Sequence, residues 1–118
     1  MKLLNKFTFL TALVVQGAEI RVDPINVVHP SHAARISGQG DSWAPILRSG
    51  GSLVYFTSNA GDLVDNDSNG TRSDVFRRDM TTGRTELLSL GPIGQSGDGG
   101  SRLLDVSADG NRILFASD

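Results

Sequence analysis

Ser37 to Asn59 reads SGQGDSWAPILRSGGSLVYFTSN, and Ser96 to Asp118 reads SGDGGSRLLDVSADGNRILFASD; at an offset of 59 the two align without a gap. Seven of 23 positions are identical: Ser37/Ser96, Gly38/Gly97, Gly40/Gly99, Ser42/Ser101, Gly51/Gly110, Phe56/Phe115 and Ser58/Ser117. Leu47 also lies over Val106, and Val54 over Ile113. Two glycine-rich loops can match through composition alone, but composition does not keep a phenylalanine and two apolar pairs in step. A chain with an internal repeat builds its fold by stacking copies of one unit, because each unit buries its apolar faces on its neighbours.

Within one period the elements follow from the pattern. APIL reads as a short strand, and SGG, or SADG in the second copy, as a tight turn, with Asp-Gly the stronger hairpin signal. SLVYFTS is rich in β-branched and aromatic residues and reads as a second strand. An acidic loop over 62–74 leads to DVFRRD, a third strand; MTTG turns, and RTELLSL is a fourth, with Thr85 and Leu87 on one face and Glu86 and Leu88 on the other. Fourteen glycines with clustered Ser, Asn and Asp suit many tight turns. Four hairpin-linked antiparallel strands stacked on the next unit make a propeller blade. The expected class is therefore all-β: an incomplete β-propeller of four-stranded antiparallel sheets, with a first blade over 37–95 and the first half of a second over 96–118.

A ring needs roughly four to eight blades. So short an array is expected to leave Val54, Phe56, Val75 and Leu87 partly uncovered, and to be marginally stable or to associate with further blades or with itself.

The first 18 residues stand apart. Lys2 and Lys6 precede an apolar run from Phe7 to Val15, followed by Gly17 and Ala18, the order of a secretory signal peptide. A helix over 1–18 is expected, too short to span a bilayer. Residues 19–36 read as a linker holding Pro24, Pro30 and one short strand, EIRV. Export would place the chain in the periplasm or outside the cell.

Eleven Lys and Arg against 13 Asp and Glu leave no strong field to attract nucleic acid or acidic lipid. Cysteine is absent, which excludes disulfides and thiolate metal sites. His29 and His32 sit three apart on a proline-flanked linker without a third ligand nearby in sequence, a poor zinc set. GQSGDGG lacks the Gly-Lys-Ser/Thr ending of a phosphate loop, and no Gly-x-Ser-x-Gly elbow presents a nucleophile, so no enzymatic activity is expected.

The acidic loop is the one candidate site. Asp65, Asp67 and Asn69 fall at positions 1, 3 and 5 of a calcium-type loop, with Gly70 at the sharp turn. The Thr71 carbonyl falls at position 7, and Asp74 closes the set from the start of the third strand. Calcium takes six to eight hard oxygens, and alternating carboxylates on a tight loop can converge to supply them. Position 12 is Phe76 instead of a bidentate glutamate, so the expected affinity is modest, ~10⁻⁴–10⁻³ M. The competing reading is a polar turn whose Asp, Asn and Ser side chains make only Asx-turns.

From SNAGDLVDNDSNGTRSDVFRRDMTTGRTELLSL through GDGGSRLLDVSADGNRILFASD the chain resembles the TolB-like, WD-repeat-like β-propeller repeats of bacterial exported proteins. The resemblance covers 37–118 and is most specific in the acidic loop and DVFRRD. It departs at RSGG, where Gly50 replaces the turn aspartate of SADG. It implies a non-catalytic propeller that binds a protein or glycan partner or acts as a scaffold, often with calcium-type loops. The alternative is the propeller of a larger secreted hydrolase of peptidase type, whose catalytic domain would lie elsewhere.

Overall fold

The computed structural model describes residues 11–16, 19–25, 29 and 37–118. Apart from one short 3₁₀ turn at Ser49–Gly51, the regular elements among the described residues are strands. β1 (Thr11–Gln16) and β2 (Glu19–Pro24) form an antiparallel hairpin, registered from Thr11 opposite Pro24 to Gln16 opposite Glu19. This corrects the expected N-terminal helix over the part described. Thr11, Val14 and Val15 are β-branched and favour extended backbone once a partner strand is present. The rest of 1–18 lies outside the described residues, whereas the short strand expected at EIRV is found within β2.

β3 (Ser42–Arg48), β4 (Leu53–Ser58), β5 (Asp74–Asp79) and β6 (Thr85–Leu87) form one antiparallel sheet in chain order. β7 (Ser101–Val106) and β8 (Ile113–Ser117) form a separate antiparallel pair. The two copies of the repeat have the same ladder. Ser42 faces Ser58 as Ser101 faces Ser117, and Leu47 faces Val54 as Val106 faces Ile113. Each first strand carries one extra residue at the corresponding place, between Trp43 and Ile46 and between Leu103 and Asp105. Pro45, which cannot donate to a ladder, sits in the first of these bulges.

Shared details explain shared residues. The Ser42 hydroxyl donates to Ser58 Oγ at 2.9 Å, and Ser101 to Ser117 at 3.0 Å. The Asn59 amide donates to the Asp41 carbonyl at 3.1 Å, as Asp118 does to Gly100 at 3.0 Å. A Cβ on Gly40 would collide with Asn59, and one on Gly99 with the Asp118 backbone, so the repeated glycine is a matter of space.

The sheet β3–β6 is apolar on both faces. Val54, Phe56, Phe76 and Leu87 point to one side, where Ile25, Ala60, Leu63 and Val64 cover them. Tyr55 and Val75 point to the other and meet Leu103 and Val106 of β7, with Ile113 and Phe115 of β8 alongside. Each fully buried large side chain contributes roughly 1.5–3 kcal/mol. The expectation that Val54, Phe56, Val75 and Leu87 stay partly uncovered is thus corrected: their exposures are 0, 0, 0 and 5%. The loop after β4 and the residue after β2 take the place of a neighbouring sheet.

Polar ties fix the second copy on the first. Arg48 Nε donates to the Ser107 carbonyl at 2.9 Å, the Tyr55 hydroxyl to the Gly110 carbonyl at 2.7 Å, and the Leu103 amide to Thr57 Oγ1 at 2.9 Å. Within the sheet, Arg77 pairs with Glu86, and Arg78 Nη1 donates to Thr85 Oγ1 at 2.9 Å.

Candidate functional site

The loop between β4 and β5 folds against the segment that joins the two copies. The Ser96 amide donates to the Asn66 carbonyl at 3.1 Å, and the Ser68 amide donates to Ser96 Oγ at 2.8 Å. Asn66 Nδ2 reaches the Gly94 carbonyl at 2.9 Å. A residue about four-fifths of the way along the chain therefore closes a loop whose acidic side chains lie about thirty residues earlier.

Within this joint the structure gathers three of the five expected ligands. Asp74 is fully buried at the start of β5, where its Oδ1 accepts from the Ser89 hydroxyl at 2.6 Å and its Oδ2 from Asn69 Nδ2 at 2.7 Å. Ser89 in turn accepts from the Val75 amide at 3.0 Å, which draws it out of line with β6 and ends that strand at Leu87. Asn69 Nδ2 also donates to the Gly97 carbonyl at 2.8 Å. With two acceptors around the nitrogen, the orientation of this amide is settled and its oxygen must face elsewhere.

Among the described residues, Asp67 Oδ1 and Asn69 Oδ1 are buried with no hydrogen-bond donor. Burial pushes the Asp67 carboxyl above its usual range, and the neighbouring Asp74 carboxylate pushes it further; the Asn69 amide and the Ser96 hydroxyl oppose the rise. Asp74 is raised by burial too, against the hydrogen bonds from Ser89 and Asn69. Two neighbouring carboxyls are thus both desolvated, an unfavourable arrangement for two anions that a nearby cation would relieve.

The other two expected ligand residues are exposed. Asp65 is 61% exposed at its side chain, with its Oδ1 3.3 Å from His29 Nδ1. Thr71 is exposed on the loop tip. Among the described residues no three His, Cys, Asp or Glu side chains gather as metal ligands. His32 lies outside the described residues.

Sequence spacing singled out Asp67, Asn69 and Asp74 as candidates and did not point to Ser89 and Ser96, which hydrogen-bond to the same loop and to Asp74. The Ser37/Ser96 identity marked Ser96 as part of the repeat, yet nothing local signalled that it folds back on the loop. Beside the joint, an open groove of 740 Å³ runs between the start of the acidic loop, at Asp65 and Asn66, and the β5–β6 turn, at Arg84 and Glu86. No helix among the described residues is long and apolar enough to cross a membrane.

No family model, curated protein or solved structure matches this chain.

Proposed function

We propose that the chain is a non-catalytic β-propeller segment, secreted or periplasmic, that acts as a binding or scaffold module and uses calcium to set the joint between its repeats. The observation that carries this reading is the pair of donorless buried oxygens, Asp67 Oδ1 and Asn69 Oδ1, beside the buried Asp74 carboxylate. The consecutive antiparallel order of β3–β6, and the packing of a matching hairpin on its face, support the blade reading. A protein or glycan partner would meet the rigid surface around the groove beside Asp65 and Arg84.

Asp67, Asn69 and Asp74 would supply the protein oxygens, and water would complete the shell of a calcium ion. The ion would offset the repulsion between the two carboxylates and hold the loop against the 94–97 segment.

The pH dependence follows from the shifts. Both carboxyls are raised above 3.8, so their contribution to stability is present below that value and is lost as pH rises through the folded-state values. In chelator, stability should therefore climb as pH is lowered through those folded-state values towards 3.8, and calcium should flatten the climb.

The experiment is thermal unfolding in chelator, 10 mM calcium and 10 mM magnesium. With a dissociation constant of ~1 mM, calcium at that concentration should add about 1.4 kcal/mol. Magnesium should add less, since it demands tighter octahedral geometry and gives up its water reluctantly. Asp67→Asn should abolish the calcium increment. Identical melting of the parent protein in calcium and chelator would overturn the reading.

A further inference from the structure

We propose that Asn69 is a deamidation site gated by the joint between the copies: the closed joint protects its amide, and loss of that amide as ammonia keeps the joint from closing again. Asn69 is the only asparagine in the sequence followed by glycine. In such a pair the side-chain carbonyl carbon is open to attack by the next backbone nitrogen, because glycine has no side chain to block the approach. Gly70 is exposed on the loop, with a φ of 81° and open space where a Cβ would stand.

The reaction needs only water. The Gly70 nitrogen gives up its proton and bonds to Asn69 Cγ, closing a five-membered succinimide, and Nδ2 leaves as ammonia with that proton. Water then opens the ring. Breaking the Cγ–N bond gives aspartate; breaking the bond from the main-chain carbonyl to the same nitrogen gives isoaspartate, whose chain runs on through the former side chain.

In the closed joint both protons of Nδ2 are engaged, at 2.7 Å to Asp74 Oδ2 and 2.8 Å to the Gly97 carbonyl. Nδ2 cannot leave until both hydrogen bonds break, and breaking the second parts the loop from the segment that joins the copies. The product cannot restore them. A carboxylate in place of the amide sets oxygen against the Asp74 carboxylate and the Gly97 carbonyl, so two attractive contacts become repulsive. Asp74, fully buried, keeps only the Ser89 hydroxyl of these two side-chain donors. Isoaspartate also displaces Gly70, whose carbonyl lies so close to Gly61 that a Cβ on Gly61 would come within 2.5 Å of it.

Peptide mapping by mass spectrometry tests the gate, in chelator so that no ion takes part and at mildly alkaline pH. In urea, Asn69 should convert at least about tenfold faster than Asn111, which precedes an arginine. In the folded protein, conversion at Asn69 should be at least about tenfold slower than in urea. Ser96→Ala removes the acceptor of the Ser68 amide and should raise the folded-state rate roughly two- to tenfold, with amide exchange in β4 unchanged. In the deamidated protein, the amides of Ser68 and Ser96 should exchange at least about tenfold faster than in the parent. The proposal would be overturned by any of four results: Asn69 no faster than Asn111 in urea, equal rates at Asn69 in the folded protein and in urea, an unchanged rate in Ser96→Ala, or a deamidated protein whose Ser68 and Ser96 amides exchange as before.

Discussion

The hairpins β3–β4 and β7–β8 hold one ladder in two settings. β4 lies inside a four-stranded sheet and is covered on both faces, while β7–β8 is a separate pair that packs through one face on that sheet. Their turns differ as well. Ser49, Gly50 and Gly51 all have positive φ, at 53°, 66° and 91°, whereas in the second turn only Gly110 does, at 74°. There Asp109 accepts from the Ser107 hydroxyl and the Asn111 amide, which hold its carboxyl below the usual range. Since register and bulge agree although turn and surroundings do not, the alternation of side chains sets the pairing, and each turn adapts to the residues available.

The largest difference between the copies should appear at the repeated phenylalanine. Phe56→Ala empties a fully buried site and should cost roughly 3–5 kcal/mol in urea unfolding. Phe115→Ala, at a half-buried position, should cost roughly 1–2 kcal/mol. Equal losses would mean that the two hairpins are buried alike.

A smaller effect separates Thr57 from its counterpart Ala116. Thr57→Val keeps the shape but leaves the buried Leu103 amide without an acceptor, so about 1–3 kcal/mol should be lost. Ala116→Ser should be close to neutral. Amide exchange at Leu103 reports directly on the broken tie.

The turns should give the smallest and opposite effects. Ser49→Gly relieves a non-glycine residue of left-handed backbone and should add up to about 1 kcal/mol. Gly110→Ala should cost about 1–2 kcal/mol, because its φ is positive and its new Cβ would lie 3.1 Å from the Tyr55 hydroxyl oxygen. Paired melting curves would rank the two turns.

These contrasts also show why some features could be read from residues and others could not. The strands of the repeat were legible because LVYFTS and DVFRRD combine β-branched and aromatic residues with turn chemistry at both ends. The early end of β6 was not, because the Ser89 hydroxyl just beyond it bonds the Val75 amide and Asp74, about fifteen residues away, which no local pattern signals. Burial of Val54 and Phe56 was underestimated for a related reason: Ile25 and the loop after β4 supply the cover, and neither belongs to a strand of the repeat. At the candidate site, spacing grouped Asp67, Asn69 and Asp74, and the hydrogen bond from Asn69 to Asp74 shows two of them in contact. Asp65 shared that spacing but lies out beside His29, and a pattern along the chain cannot tell an inward carboxylate from an outward one when the loop is irregular.

Amide hydrogen exchange at Ser68 and Ser96, with and without calcium, tests the ion-set joint most directly, since these two amides tie the acidic loop to the segment between the copies. Calcium should slow both by more than about tenfold and leave the amides of β4 unchanged. Equal rates at Ser68 and Ser96 in the two conditions would contradict a role for the ion in holding the repeats together.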